Sequence, residues 1–327
     1  MTGRAGRCCA AALALGLAVL AGCGQVPQRK DTAAPISKVA ADGREIDAIY
    51  TRYRDVRANA LKLLDPEPLA TVESGPVLAI DAGALQVAKR LAGTRPVEES
   101  QDLRIERVLS PRLDAYPLWF VARVRDNVKK VTKVQIFQRT AATAQWTMVA
   151  SPEALLSTTL PPFATDDAGS LETIEPEDDT GLVSSPTQAI TDYAAALRDP
   201  QSPAAQKVVD DSFIQQMRQV AGQSSAIKGV TFTQSWGARP VEFAMRTQDG
   251  GALVVATLLR QDGYEIADGV EVSWPEGSAQ KAFLSNKLYT AGLLRYYHQV
   301  LLYVPPEGGE LPRVLAQYGG VVDGEGF

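Results

Sequence analysis

Apolar residues near the start of the folded part of the chain recur at steps of three and four. They are Ile46, Ile49, Tyr50, Tyr53, Val56, Ala60 and Leu64. This spacing predicts an amphipathic helix that begins near Gly43. We expect it to end at Asp65-Pro66, because a proline disfavours helical geometry in the residue before it. A second and shorter helix is predicted from Ala84, Leu85, Ala88 and Leu91.

The pattern then changes from helical spacing to alternation. Four runs each place apolar residues at even spacing, and they contain Leu103, Ile105 and Leu109, then Leu118, Phe120, Ala122 and Val124, then Val134 and Ile136, then Trp146 and Met148. Alternation of this kind is typical of half-buried strands. Asp126-Asn127 is a turn signal between the second and third runs. The first half is therefore predicted to be two helices followed by an antiparallel meander.

Residues 161–183 interrupt this order with many acidic residues, prolines and glycines and no apolar period. No Lys or Arg occurs between Arg139 and Arg198. We interpret the segment as a solvated interdomain linker. The alternative is a calcium loop, but the acidic residues lack the alternating spacing that such a loop requires.

The second half repeats the order of the first. Ser185-Pro186-Thr187-Gln188 has the residues of a capping box with proline at the first helical position. Ser202-Pro203 predicts the start of another helix, with Val209, Phe213, Met217 and Val220 on its apolar face. Strand patterns return after Gly229. The run from Ala252 to Leu259 is apolar on both faces and is expected to be central.

Turn signals divide these later strands. Asp249-Gly250-Gly251 and Asp262-Gly263 both predict hairpins. Residues 288–304 fit helix and strand periods alike, and their aromatic and β-branched content favours a long strand with a bulge at Gly292. Residues 314–318 are expected to pair back on it.

Two helices followed by a curved antiparallel sheet, given twice, resembles the NTF2-like or cystatin-like fold in tandem. The resemblance is one of element order and rests on no residue motif. It implies an α+β fold with two consecutive domains, at residues 43–160 and 184–327, separated by the acidic linker 161–183.

The amino terminus has the three-part layout of a secretory signal. Arg4 and Arg7 precede an uncharged apolar run, Cys8–Val19, which is shorter than the about 20 residues that a membrane span needs. The following Leu20-Ala21-Gly22-Cys23 resembles the lipobox of bacterial lipoproteins. This resemblance implies a signal peptide at residues 1–22, a diacylglyceryl group on the Cys23 thiol and attachment to the outer face of the cell membrane.

The alternative is that Cys23 is one more small hydrophobic residue, like Cys8 and Cys9, with cleavage elsewhere or not at all. We favour the lipobox because charge, apolar length, small residues and cysteine occur in the required order. Two acyl chains suffice for stable anchoring. Residues 23–42 lack an apolar period and are predicted to be a flexible tether.

Charge and cysteine content restrict the function further. Cleavage before Cys23 removes Arg4 and Arg7 and changes the formal net charge from −5 to −7. An acidic chain is a poor partner for nucleic acid, because phosphate binding needs clustered positive charge. The three cysteines are at positions 8, 9 and 23. An acylated mature chain therefore has no thiol for a disulfide, a nucleophile or a metal site.

A second resemblance concerns the C-terminal half. The stretch from Tyr297 to Pro306, read with the lipobox, the tether and the paired α+β halves, resembles a family of uncharacterised actinobacterial lipoproteins. No activity follows from that resemblance.

Catalytic, cofactor and metal sites are not predicted from this sequence. His298 is the one histidine. On a strand it shares a face with Tyr296 and Val300, and we interpret it as a sheet histidine bonded to a neighbour. The sequence contains no G-x-S-x-G, H-E-x-x-H, P-loop or dinucleotide fingerprint. NTF2-like enzymes such as ketosteroid isomerase use an Asp base in the cone of the sheet, and no motif matches a particular Asp here to that base.

Two groups of residues have both a structural and a functional interpretation. The first, Arg123, Arg125, Lys129, Lys130, Lys133 and Arg139, makes the hairpin at Asp126 basic. It either contacts anionic lipid or wall polymer, or is a solvated hairpin that balances the acidic linker. The second, Tyr289, Tyr296, Tyr297 and Tyr303, either lines a ligand groove or forms cross-strand pairs. We favour the structural interpretation in both cases.

Three functions follow in order of preference. The first is a non-enzymatic envelope lipoprotein that binds a partner protein, a lipid or a wall component. The second is an enzyme or a carrier of a small apolar ligand, with a pocket in one NTF2-like half. The third is the solute-binding lipoprotein of a transporter, which predicts strand-helix-strand units and a parallel sheet.

Overall fold

A computed structural model of the chain describes residues 40–91, 100, 102–272, 274–284 and 290–326. The predicted signal peptide, Cys23, most of the predicted tether and Tyr289 lie outside the described residues. Ala40 and Ala41 are already buried, and the Ala40 amide donates to Ser110 Oγ at 3.3 Å. None of the helices in the described ranges has both the length and the hydropathy that crossing a membrane requires.

The described part of the first half contains two helices followed by five strands, of which the first four were predicted in this order and β5 was not. Helix α1, Gly43–Leu63, begins where Asp42 Oδ1 accepts from the Glu45 amide at 2.9 Å, which is a standard N-cap. A 3-10 turn, Glu67–Thr71, leads to α2. The remaining bounds are α2 Gly75–Arg90, β1 Leu103–Leu109, β2 Leu118–Asp126, β3 Val131–Arg139, β4 Thr147–Ala150 and β5 Glu153–Leu155.

The second half repeats this order with longer strands. Its bounds are α3 Pro186–Arg198, α4 Ser212–Ser225, β6 Val230–Ala238, β7 Phe243–Arg246, β8 Ala252–Ile266, α5 Ala279–Phe283, β9 Ala291–Val304 and β10 Arg313–Gly326. Ser185 caps α3 as predicted. The long strand and its returning partner are confirmed as β9 and β10.

The predicted helix start at Ser202-Pro203 is wrong. Pro203–Gln206 forms only a 3-10 turn, and α4 begins ten residues after Ser202, at Ser212. Asp211 Oδ1 accepts from the amides of Phe213 and Ile214, both at 3.1 Å. Asp211 therefore satisfies two amides that would otherwise lack a partner, and it is the stronger start signal.

The strands form one open antiparallel sheet in the order β1-β2-β3-β5-β10-β9-β8-β6, with β4 beside β3 and β7 beside β8. The hairpin predicted at Asp249-Gly250-Gly251 joins β7 to β8. The hairpin predicted at Asp262-Gly263 is wrong, since β8 continues through both residues, paired with β6 and β9. A Cβ at Gly263 would lie 2.6 Å from Thr233 Oγ1, so a larger residue there would require the Thr233 side chain to shift. The β8–β9 register is also unbroken at Gly292, where a bulge was predicted.

The α+β class is confirmed, but two consecutive domains are not. The two halves share the sheet through the pairing of Glu153 on β5 with Gln317 on β10. Gln299 on β9 also bonds to the first half, where its Nε2 donates to Val149 O at 2.7 Å and its Oε1 accepts from the Ser151 amide at 3.2 Å. Helix α2 of the first half packs on β10 of the second. The prediction of two separate domains did not include these contacts, because they join positions far apart in the chain.

Residues 161–183 are attached to the body, in contrast to the predicted solvated linker. Isolated bridges pair Phe163 with Thr247, Thr173 with Met245 and Leu182 with Pro306. The segment also buries four large apolar side chains, which are Phe163, Leu171, Ile174 and Leu182. These residues have no regular period among the acidic ones, so the sequence pattern did not reveal that they pack.

Candidate functional site

His298 lies on β9 with 6% of its surface exposed. Its ring packs against the rings of Phe213 and Trp236, each at 5.5 Å between centroids, and of Tyr296 at 6.2 Å. The shared face with Tyr296 is as predicted. The predicted bond to a neighbour is wrong, since within the described part of the chain neither ring nitrogen has a hydrogen-bond partner.

Burial, and then the nearby positive charge of Arg260, lowers the pKa of His298 to about 3. The imidazole is therefore neutral at physiological pH. A ring in this position packs as an aromatic side chain, because it has neither solvent access nor a proton acceptor.

An ion pair between Arg260 and Asp262 on β8 lies beside this histidine. Arg260 Nε donates to Asp262 Oδ1 at 2.8 Å, and the same oxygen accepts from Gln234 Nε2 at 3.0 Å. The guanidinium carbon lies 4.2 Å from the centre of the Tyr296 ring, which is a cation–π distance. The exposed fractions are 5% for Arg260 and 0% for Asp262. This pair was not predicted from the sequence, because Asp262 was assigned to a turn.

The sheet face under α3 and α4 is therefore filled by protein side chains. Phe213 and Met217 on α4 are buried against Trp236, Ile190 and Tyr193. Arg260, Asp262 and His298 occupy the polar part of the same layer. This is the place where the NTF2-like resemblance implies a ligand cone, and the described side chains there contact one another instead.

A second buried charge cluster joins the two halves. Arg57 on α1 donates from Nη1 to Glu73 Oε1 at 2.9 Å and from Nη2 to Asp81 Oδ1 at 3.3 Å. Tyr53 donates to Glu73 Oε1 at 3.2 Å, and Tyr318 on β10 donates to Asp81 Oδ1. Glu73 is fully buried and Asp81 is 4% exposed. Two carboxyl groups therefore share one guanidinium beneath the surface.

The two carboxyl groups respond differently to this shared cation. Burial, and then the negative charge of Asp81, raises the pKa of Glu73 to about 9. Burial also acts to raise the pKa of Asp81, but the charge and hydrogen bonds of Arg57 outweigh it and the net pKa is lowered. Asp81 is thus the ionised partner of Arg57, and Glu73 holds a proton at neutral pH.

Replacing Glu73 with glutamine is expected to flatten the dependence of stability on alkaline pH. The unfolded glutamate loses its proton near pH ~4.3, whereas the folded one keeps it to about pH 9, so wild-type stability falls as pH rises between them. The slope from this group is at most about 1.4 kcal/mol per pH unit. Glutamine carries no such proton.

Urea unfolding of both proteins from pH ~7 to ~9 measures this difference, because the unfolded pKa of His298 near 6.5 keeps that residue neutral there in both states. Other titrating groups cancel in the comparison. Parallel stability curves for wild type and Glu73→Gln would contradict a protonated Glu73.

Open clefts lie elsewhere on the described surface. One of about 320 Å³ is lined by the aromatic side chains of Tyr53, Phe137 and Trp146 and by the charged side chains of Glu45, Arg52 and Arg139. Its charged groups are already bonded: Glu45 Oε1 accepts from Trp146 Nε1 at 2.9 Å and from Arg139 Nη1 at 3.2 Å.

The predicted tyrosine groove does not form from the described residues. Tyr296 and Tyr297 are neighbours on β9 and therefore face opposite sides of the sheet. Tyr303 shares the side of Tyr297, and its hydroxyl donates to Asp249 Oδ2 at 2.8 Å. Tyr296 instead stacks under Arg260. The cross-strand interpretation fits these positions better than a ligand groove.

The predicted basic residues separate into three environments. Arg139 lies at the far end of β3, where it bonds Glu45 and the hydroxyl of Tyr116. Lys133 is 9% exposed, with Nζ 3.4 Å from Asp126 Oδ2 and 3.1 Å from Glu153 Oε1. Arg123, Arg125, Lys129 and Lys130 remain near the turn between β2 and β3. The linker acid Asp166 pairs with Arg112, which is not one of the predicted basic residues.

Comparison with known proteins adds a family and no activity. A family model described as "Domain of unknown function (DUF8094)" matches residues 40–326. No curated protein and no solved structure matches the chain. Within the described residues, no cluster of three or more His, Cys, Asp or Glu side chains has an arrangement that could hold a metal ion.

Proposed function

This chain belongs to the DUF8094 family, and we propose that it is a lipoprotein anchored through Cys23 to the extracytoplasmic face of the cell membrane. In this proposal the body is a non-enzymatic binding or structural module of the envelope. The family match begins at residue 40, so the location rests on Leu20-Ala21-Gly22-Cys23 and not on the family.

The observation that carries the non-enzymatic part is the filled layer under α3 and α4. An NTF2-like enzyme needs space in the cone for substrate beside an acid or base. Here Asp262 is fully buried against Arg260, and His298 is enclosed by aromatic rings. These groups stabilise the sheet, and their pairing and packing provide no access for a substrate.

A small-ligand carrier is the second candidate, and the cleft at Trp146 favours it. Its volume of about 320 Å³ reaches the lower end of the range of ligand sites, roughly 300–1,000 Å³. The solute-binding alternative is disfavoured, because the pairings between the named strands are all antiparallel.

Acylation is tested by growing cells that express the full chain with labelled palmitate. We expect label in the wild-type protein and none after Cys23→Ala, because the thiol is the attachment atom. A double variant, Cys8→Ala with Cys9→Ala, is the matched control and should keep the label, since both residues leave with the signal peptide. The mature amino terminus should be Cys23.

The binding role is tested with the acylated chain as bait in detergent-solubilised envelope. Recovery of a protein, lipid or polymer above the Cys23→Ala control supports it. Labelled palmitate that enters Cys23→Ala as well as wild type, or a mature terminus elsewhere, would remove the basis for the location.

A further inference from the structure

One end of the sheet is formed by the turn between β2 and β3 together with the strand ends beside it. Leu103, at the start of β1, pairs with Asp126, and Leu155, at the end of β5, pairs with Val131. The Leu156 amide donates to Lys130 O at 3.2 Å. We call residues 127–130 and Leu155 the hairpin tip.

Positive side chains are concentrated on the strands behind this tip. Arg104 is opposite Arg125 and Arg107 is opposite Arg123 in the β1–β2 pairing, an arrangement in which like charges repel. Glu106 forms ion pairs with two of them, at 3.3 Å from Arg123 and 3.9 Å from Arg125. Among the described side chains, one carboxylate therefore pairs with two of the four guanidinium groups.

The tip itself combines exposed lysines with exposed apolar side chains. Lys129 and Lys130 are exposed. Val128 and Leu155 are 61% and 64% exposed, the two highest values among the large hydrophobic side chains of the described residues. Apolar side chains next to basic ones are typical of surfaces that rest in the interfacial region of a bilayer.

The turn is held in a fixed conformation by Asp126. Its Oδ1 accepts from the amides of Val128 at 3.1 Å and Lys129 at 2.8 Å, and also from the Ser100 hydroxyl. Lys130 has φ of 57°, a left-handed conformation that glycine adopts at lower cost. The chain thus keeps a cationic side chain at a position where its backbone favours glycine, and such strain accompanies functional positions.

We propose that the hairpin tip docks on the anionic phospholipid headgroups of the membrane to which Cys23 attaches the chain. This partner rests on the proposed lipid anchor for its location. The lysines and the arginine pairs attract phosphate, while Val128 and Leu155 enter the headgroup region. A hydrated wall polymer would match the charges but would have no apolar region for Val128 and Leu155 to contact.

The length of the predicted tether limits how far the body can lie from the anchor. The 16 residues between Cys23 and Ala40 reach at most roughly 55 Å when extended. Docking would therefore be an intramolecular equilibrium between a tethered body and a body that rests on the bilayer through its hairpin tip. Electrostatic attraction of this kind falls off within a Debye length and weakens at high salt.

The test uses the acylated full chain in vesicles with a fluorophore on Val128→Cys. That thiol is the single free one in the mature chain, because Cys8 and Cys9 are cleaved off and Cys23 is acylated. We expect the fluorophore to be shielded from iodide on phosphatidylglycerol vesicles and open to it on phosphatidylcholine vesicles. Lys129→Gln and Lys130→Gly should each lower the ratio of docked to undocked tip about fivefold.

Two controls separate docking from folding. Lys130→Gly relieves the left-handed lysine, so its melting temperature should equal or exceed that of wild type while docking weakens. A fluorophore on Ala142→Cys, in the exposed turn at the other end of β3, should be open to iodide on both vesicles.

The outcomes distinguish the two proposals. A chain that floats with vesicles while iodide quenches Val128→Cys equally on both lipids overturns docking and leaves the anchor intact. A chain that floats with neither vesicle contradicts both. Shielding by soluble polyglycerol phosphate that equals shielding by phosphatidylglycerol vesicles would assign the tip to a polymer and overturn the lipid assignment.

Discussion

Replacing Asp262 with alanine is expected to lower the free energy of unfolding by about 3–5 kcal/mol, because it leaves a buried guanidinium without its counter-ion. Arg260 is 5% exposed. It cannot escape the charge by losing its proton, since a guanidinium stays protonated in proteins. Burial opposes its charge, but the hydrogen bonds and charge of Asp262 outweigh that effect and raise the pKa of Arg260 above its ordinary value.

Urea unfolding monitored by circular dichroism measures this loss. The matched control is Asp210→Ala, which removes the carboxylate of an exposed pair whose oxygen lies 2.7 Å from Arg218 Nη1. An exposed pair contributes about 0–1 kcal/mol, so this variant should unfold close to wild type. Equal midpoints for Asp262→Ala and Asp210→Ala would show that the buried pair does not stabilise β8 as its geometry indicates.

A double variant tests whether the cost arises from the unpaired charge or from lost packing. Arg260→Met with Asp262→Leu removes both charges and keeps apolar volume, and such replacements are often neutral or stabilising by about 1–4 kcal/mol. We therefore expect the double variant to be more stable than Asp262→Ala alone. The contact of residue 260 with the Tyr296 ring is retained in part, because methionine sulfur also packs well against aromatic rings.

Local signals predicted the elements well where the responsible residues are close in sequence. The start of α3 follows from Ser185 and the three residues after it, and β9 follows from the aromatic and β-branched content of its own stretch of chain. The hairpin prediction at Asp262-Gly263 was wrong because the residues that decide its structure are far away in the sequence. As a dipeptide it indicates a turn, but the hydrogen bond from the distant Gln234 and the pairing with β6 and β9 make it part of a strand.

The buried sites were harder to predict than the elements. The strand face of His298 follows from its spacing to Tyr296, but its ring partners Phe213 and Trp236 come from another helix and another strand. The cluster around Arg57 draws residues from α1, α2 and β10, with Tyr318 lying 237 positions from Asp81. No spacing motif joins such positions, so the sequence alone indicates neither the shared guanidinium nor the raised pKa of Glu73.

The contact that unites the halves gives the second large expected effect. Gly83 on α2 lies so close to β10 that a Cβ would be 1.9 Å from the carbonyl oxygen of Val321. Because the obstructing atom belongs to the backbone of a paired strand, a side-chain rotation cannot relieve the overlap. Gly83→Ala should therefore lower the free energy of unfolding by about 3 kcal/mol, the upper part of the usual range for overpacking.

Gly222→Ala is the matched control, since Gly222 lies within α4 and an added Cβ there has no atom within 4 Å. Alanine is the better helix former by about 0.5–1 kcal/mol, so this variant should be more stable than wild type. The two alanine variants thus have opposite expected signs, which excludes a general effect of losing glycine.

Gly83→Ala also tests whether the two halves of the chain unfold together. Hydrogen exchange of β2 amides reports the first half, and exchange of β8 amides reports the second. If the shared sheet and the α2–β10 contact couple the halves, Gly83→Ala should accelerate global exchange in both strands by the same factor. Acceleration confined to one half would mean that the halves open independently, and the single sheet would then be two domains in contact.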